Sequence, residues 1–259
     1  MLVPALLLAA LAAGADTIPA HESLIVASRE LGENRLINVY TPPGYAATRR
    51  AYPVLYMPDG ALDEDFPHIV STIDSLIRLK RIRPVLVVGI PNTQRRRDLT
   101  GPTTVHSDST IAPRVGGSAA FRRFIRVELM PEIRRRYRCS EETGIVGESL
   151  AGLFVVETLL LEPALFRHYI AFDPAIWWNN KEVVRTAEAR LARFPPGRRQ
   201  LYLGAANTPG IGEETRELAG ILKAHAPRAL AWSFESRPDL EHSTIFRALA
   251  PGAFVQILR

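Results

Sequence analysis

Ser149 is the side chain best placed for chemistry. It lies in Gly147-Glu148-Ser149-Leu150-Ala151-Gly152, with Thr143-Gly144-Ile145-Val146 before it and Leu153-Phe154-Val155-Val156-Glu157-Thr158-Leu159-Leu160 after it. The first flank has the length and composition of a short buried strand, and the second those of an apolar helix. A serine on a sharp strand-to-helix turn has its hydroxyl lifted clear of the backbone, free to attack a carbonyl, and small neighbours let strand and helix crowd together there. The Gly-x-Ser-x-Gly spacing is not fully kept: Ala151 replaces the last glycine and Gly152 follows. One methyl is a modest steric addition, so the variant is tolerable. The spacing alone is permissive, since Gly116-Gly117-Ser118-Ala119-Ala120 also meets it. No strand precedes Ser118, which reads as a helix N-cap. Context therefore selects Ser149.

A nucleophilic serine needs a base, a group that orients the base, and N–H donors for the developing oxyanion. The strand-turn-helix serine is similar to the nucleophile elbow of the α/β-hydrolases, in which the chain order is nucleophile, acid, histidine. That order leaves His168, His225 and His242. His168 opens a strand straight after a helix, at the wrong end of a sheet. His225 belongs to an amphipathic helix with Leu218, Ile221 and Leu222 and reads as a surface residue. His242 follows the last strand through Arg237-Pro238-Asp239-Leu240-Glu241, at the carboxyl end where such sheets bind ligands, and is the expected base. The acid's usual place is the loop after Leu201-Tyr202-Leu203, which runs from Asn207 to Glu214. Asn207 carries no charge, so Glu213 is the expected acid, with Glu214 beside it and a Ser149–His242 dyad as alternatives. Both glutamates would also suit a first helical turn, where the macrodipole favours negative charge. Asp173, after another strand, reads instead as part of a pocket wall with Pro174 and two tryptophans. The oxyanion donors expected are the N–H of Leu150, at a helix start, and that of Ala61, in the loop after Val54-Leu55-Tyr56-Met57.

The segments that must position these groups alternate along the chain. Leu24 to Ser28 and Leu36 to Tyr40 read as antiparallel strands, and Val54–Met57 as a short apolar strand ending at Pro58-Asp59-Gly60. A helix follows, with Ile69, Ile73, Leu76 and Ile77 on one face. Val85-Leu86-Val87-Val88 is uninterruptedly apolar, as a strand buried on both faces should be. A helix from Ala119 to Tyr137 turns Phe121, Phe124, Ile125, Leu129 and Ile133 inward, and Pro131 should kink or split it. Strands at 169–172, 201–203 and 230–234 alternate with helices near 180–193 and 213–225, and a last helix follows His242. This alternation, without repeats or linkers, predicts an α/β chain: an α/β-hydrolase fold over residues 16–259, a single domain with a mostly parallel central sheet flanked by helices on both faces.

Within that superfamily the chain resembles the esterase-D-like branch, which includes feruloyl esterases, mycolyltransferases and siderophore trilactone esterases. Leu55-Tyr56-Met57-Pro58-Asp59-Gly60-Ala61 is similar to that branch's strand-Asp-Gly-Leu loop, with Ala61 where leucine supplies a backbone N–H. Phe172-Asp173-Pro174-Ala175-Ile176-Trp177-Trp178-Asn179 resembles the Ser-Pro-Ser-x-Trp-Trp-Asn segment of the siderophore-esterase-like members, as does the loop containing Asn92-Thr93 and Arg97-Asp98-Leu99-Thr100. The resemblance spans about residues 30–255. It implies a serine carboxylesterase for a small or medium organic ester, with an acyl-enzyme on Ser149 and with Trp177, Trp178 and Arg97 lining the substrate pocket. An acyltransferase using the same serine, or a non-catalytic binding protein on the same fold, would carry similar motifs.

Composition narrows the partners. The 259 residues carry a formal charge of +5, with arginine far outnumbering lysine, yet 27 acidic residues are interspersed. Arg95-Arg96-Arg97 and Arg134-Arg135-Arg136 lie beside no nucleic-acid module and read as solvated faces, so no nucleic-acid partner is expected. The single Cys139 has no partner for a disulfide or a metal site, the histidines are scattered, and no phosphate-cradling loop is present, so no cofactor is expected. Met1 to Ala15 is almost wholly apolar but too short to span a membrane. With Ala13-Gly14-Ala15 as a cleavage-like site it is expected to be a secretory signal directing the protein to the periplasm or medium, although no basic residue precedes Arg29.

Overall fold

The computed structural model describes residues 18–259; the expected signal at 1–15 lies outside them. Among the described residues eight strands form one sheet: β1 (His21–Ser28), β2 (Glu33–Tyr40), β3 (Tyr52–Pro58), β4 (Leu86–Ile90), β5 (Cys139–Glu148), β6 (His168–Phe172), β7 (Arg199–Ala206) and β8 (Leu230–Arg237). Their spatial order is β1-β2-β4-β3-β5-β6-β7-β8. β2 pairs antiparallel with both β1 and β4, and all pairings from β4 through β8 are parallel. Parallel neighbours need long crossovers, and these carry the helices α1 (Phe66–Arg78), α2 (Arg95–Leu99), α3 (His106–Thr110), α4 (Ser118–Phe124), α5 (Met130–Arg136), α6 (Leu150–Leu161), α7 (Trp178–Leu191) and α8 (Gly212–His225), while α9 (His242–Ile257) follows the last strand.

Successive strand residues alternate between two cores. On one face Leu55, Met57, Val87, Val146, Ile170 and Phe172 meet α1 and α9. On the other, Val54, Tyr56, Val88, Ile145, Tyr169 and Ala171 join a cluster that includes Phe121 and Phe124 of α4, Phe154 of α6 and Leu218 of α8. Stretches such as Val54–Met57, Leu86–Val88 and Tyr169–Phe172 are apolar because neither face sees water there. On α1, Ile69 and Ile73 are fully buried, as its spacing predicts, while Ile77 is only partly covered. Each such buried aliphatic side chain contributes roughly 1.5–3 kcal/mol over leaving it exposed.

The helix expected over 119–137 is interrupted. A π-helical turn, Ile125–Leu129, separates α4 from α5 just before Pro131. Proline lacks the N–H for the preceding turn and its ring crowds the carbonyl there, so a wider turn absorbs the misfit. No helix of the described residues is long and apolar enough to cross a membrane.

Candidate active site

The site forms at the carboxyl ends of β5, β6 and β8. Glu148, the last residue of β5, pairs in register with Phe172, the last of β6, so Ser149 and Asp173 leave the sheet side by side. Both have positive φ, 58° and 41°. For residues with a side chain such backbone is costly and persists only where the surroundings hold it. The Ser149 N–H donates to the Phe172 carbonyl at 3.1 Å, and the Ser149 carbonyl accepts from the Ala175 N–H at 2.9 Å. The elbow and the segment carrying Asp173 are thus laced together. A Cβ on Gly147 would lie 2.6 Å from that of Ala151. The turn therefore accommodates the methyl of Ala151 only because position 147 has none.

His242 is the first residue of α9, whose start is fixed by a capping box between Glu241 and Thr244. Its Nδ1 lies 2.9 Å from Asp173 Oδ2. Asp173 is fully buried. Its Oδ1 accepts from the Ala206 N–H at 2.8 Å, and its Oδ2 also accepts from the Thr208 hydroxyl at 2.7 Å. Burial pushes this carboxyl up, but the bonds from His242, Thr208 and Ala206 outweigh it and hold it below the ordinary aspartate range. His242 is shifted upward, chiefly by the bond to Asp173, against the opposing effect of its own burial.

The carboxylate that faces His242 is Asp173, not the expected Glu213. Glu213 is exposed in the first turn of α8, while Glu214 is buried and lies 3.4 Å from Lys181. Helix-start glutamates are what the macrodipole favours, and neither is bonded to His242. The end of β7 and the loop after it serve instead, through the Ala206 N–H and the Thr208 hydroxyl, which both bond to Asp173. His168 opens β6 against Glu142, and His225 ends α8, both away from the elbow as the sequence suggests.

Leu150 begins α6 immediately after the elbow, so its N–H belongs to the unsatisfied first turn of that helix. The Ala61 N–H is differently placed: it donates to Glu64 Oε2 at 2.9 Å. Asn92 holds Glu64 and Asp59 together, and Arg95 grips Asp59 through two bonds of 2.7 Å. A Cβ on Gly60 would overlap the backbone of Gly89 and Ile90, so the loop hugs β4 as only glycine allows.

The three residues expected to line the pocket separate. Trp177 is partly exposed just before α7. Trp178 is buried, and its indole N–H donates to the Gly101 carbonyl at 2.8 Å, making it a structural anchor. Arg97 is engaged by Glu33 at 2.7 Å and by Asp98 at 2.6 Å, so its guanidinium sits in an ion-pair network. Behind the tryptophans Asn179, Asn180 and Lys181 are all left-handed. Thr104 N–H and Asp108 bond to Asn179 and tie the loop over 103–108 to this turn. A cavity of about 1040 Å³ lies elsewhere, among α5 and the ends of α6 and α7, lined by Arg126, Arg134, Arg193, Leu165 and Phe194. It holds no nucleophile–base pair. Among the described residues no three His, Cys, Asp or Glu side chains gather as metal ligands.

Residues 28–208 match the family profile described as "Putative esterase". The chain belongs to this esterase family. Among curated relatives, the ferri-bacillibactin esterase BesA of Bacillus subtilis (strain 168) is 33% identical over 67% of this chain and 65% of its own length. The siderophore enterobactin esterase of Emericella nidulans is 30% identical over 46% of each chain. The chain thus spans less than two thirds of either relative. An IroE-like serine hydrolase from Shewanella oneidensis superposes with a TM-score of 0.83 and 29% identity, covering 92% of this chain and 79% of that one. These similarities agree with the α/β-hydrolase fold and with the siderophore-esterase affinity of the motifs.

Proposed function

We propose that the protein is a serine carboxylesterase with the triad Ser149, His242 and Asp173, acting on siderophore-type esters. The observation that carries this reading is the 2.9 Å contact between His242 Nδ1 and the buried Asp173 carboxylate, beside a serine with elbow backbone. Asp173 fixes the proton on Nδ1, which leaves Nε2 free to take the Ser149 proton. Ser149 Oγ attacks the ester carbonyl, and the protonated His242 is stabilised by Asp173. The tetrahedral oxyanion is held by the Leu150 N–H and by that of Ala61 once Glu64 releases it. Collapse expels the alcohol, which takes its proton from His242 and leaves an acyl-enzyme on Ser149. Water, deprotonated by His242, then completes hydrolysis. Trp177 supplies an apolar flank for an aromatic acyl or alcohol group. The siderophore substrate class is supported by what the relatives' names state and by the Trp177-Trp178-Asn179 motif. The apolar run before Asp16 supports export.

The test combines a fluorophosphonate probe with an ester panel. Ser149 should be labelled in the wild type and labelling lost in folded Ser149→Ala. Turnover retained by that variant would overturn the mechanism. Among p-nitrophenyl, feruloyl and catecholate trilactone esters, the trilactone should show the highest kcat/KM; a simple p-nitrophenyl ester ranking first would overturn the substrate class.

A further inference from the structure

The residue beside the nucleophile has no role in that mechanism, yet its placement is unusual. Glu148 ends β5 on the same face as Val146, which pairs with Ile170 and belongs to the core cluster that holds Phe172, Ile245 and Phe246. Toward the carboxyl ends of β5 and β6 its companions on this face, Val146, Ile170 and Phe172, are apolar. Glu148 instead brings a carboxylate to the foot of α9, and its Oε1 is buried with no hydrogen-bond partner. Glu148 is half-buried, and a carboxylate oxygen buried without a partner is costly unless a positive charge compensates it.

The groups around it are named from each packed element. The loop after β3 supplies Asp59, already engaged by Arg95 from α2. The start of α1 supplies Asp65 and His68, both acted on by Arg247 of α9. The end of β6 supplies Asp173, and α9 supplies His242. Among the charges acting most strongly on Glu148, His242 is the attractive one, while Asp65, Asp173 and Asp59 repel. The influence is mutual: Glu148 follows the Asp173 bond and burial among the effects on His242.

We propose that Glu148 is a positioning residue for the esterase reaction, a second carboxylate that, with Asp173, supports His242 as it becomes charged. This rests on the triad reading above. Asp173 fixes the ring through a directed bond, whereas Glu148 acts through space. Burial pushes the Glu148 carboxyl up to about 7, and the Glu148 charge is among the effects that shift His242 upward. The acid side of the pH–rate profile then belongs to the pair rather than to either group.

The experiment measures kcat, KM and the pH profile of kcat/KM for Glu148→Gln and Glu148→Asp, with Ser149→Ala and His242→Ala as controls. Glu148→Gln should lower kcat about tenfold with KM nearly unchanged. Its acid limb should move to lower pH and follow a single proton, because His242 no longer feels the carboxylate. Glu148→Asp should restore part of kcat and of the limb. A merely structural role would lower Tm without moving the limb. A folded Glu148→Gln with wild-type kcat and limb, or equal losses in both variants with the limb unmoved, overturns the proposal. If Glu148→Gln does not fold, Glu148→Asp decides alone: a wild-type limb and kcat in it overturns the proposal, and an acidward shift with reduced kcat supports it. Activity in His242→Ala would instead overturn the triad, so the two failures are distinguishable.

Discussion

Asp173→Asn replaces the carboxylate facing His242 with an amide of the same shape, and the structure dictates how that amide must sit. Oδ1 accepts from the Ala206 N–H, while Oδ2 faces the Thr208 hydroxyl and His242 Nδ1. If the amide oxygen stays on Ala206, the NH2 group faces His242 and donates to Nδ1. The ring proton then moves to Nε2, the atom that must accept from Ser149. If the amide flips, its NH2 meets the Ala206 N–H, leaving two buried donors opposed at a cost of about 1–3 kcal/mol. The oriented form therefore carries the wrong tautomer. In a serine triad this exchange lowers kcat by about 10⁴, or roughly 5.5 kcal/mol of barrier. Steady-state turnover of a chromogenic ester, with circular dichroism as the folding control, measures it. Glu213→Gln in the exposed first turn of α8 should stay within about twofold of wild type, a difference of about 0.4 kcal/mol. A folded Asp173→Asn retaining more than a tenth of wild-type kcat would refute the assignment, as would a comparable loss in Glu213→Gln.

Glu64→Ala should raise kcat/KM by up to about tenfold, since the Ala61 N–H would no longer have to leave a carboxylate, a bond of about 1.5–3 kcal/mol when charged; a fall in kcat with the protein folded would exclude Ala61 as an oxyanion donor held in reserve. Arg35→Ala should destabilise by about 3–5 kcal/mol in denaturant titration, because it strands the fully buried Asp98 that Arg35 contacts at 2.6 Å. A loss below 1 kcal/mol, a value typical of surface pairs, would show that Arg97 alone neutralises Asp98.

Much of this arrangement is legible in the sequence because the signals are local. The apolar runs of β3, β4, β5 and β6 announce strands covered on both faces, and alternation with helical segments announces a parallel sheet. Ser149 is legible because a strand, three small residues and a helix meet within a dozen positions. His242 is legible because chain order and position after the last strand agree. Pro131 signals an interruption, though not that a π-turn would absorb it. The tryptophans and Arg97 are less legible. Whether an indole N–H faces a substrate or the Gly101 carbonyl, and whether an arginine meets a ligand or Glu33, depends on contacts between segments far apart in the chain.

The acid shows why such contacts resist sequence reading. Glu213 and Asp173 each follow a strand at the correct end of the sheet, and each is a carboxylate near small or turn-forming residues. Their separation from Ser149 depends on which strands are neighbours. β6 lies directly against β5, whereas β7 is one strand further out. Because Glu148 pairs with Phe172, the next residue on each strand emerges at the same height, and these residues are Ser149 and Asp173. The Ala175-to-Ser149 backbone bond then fixes the two emerging turns to each other. Phe172 in turn pairs with Gly204 on β7, which places the Ala206 N–H and Thr208 within reach of the Asp173 carboxylate. The end of β7 and its loop thus contribute donors where a carboxylate is expected, and the turn after β6 contributes the charge. A proline after an aspartate looks like a wall in isolation. Strand register turns it into the mounting of the residue that faces His242.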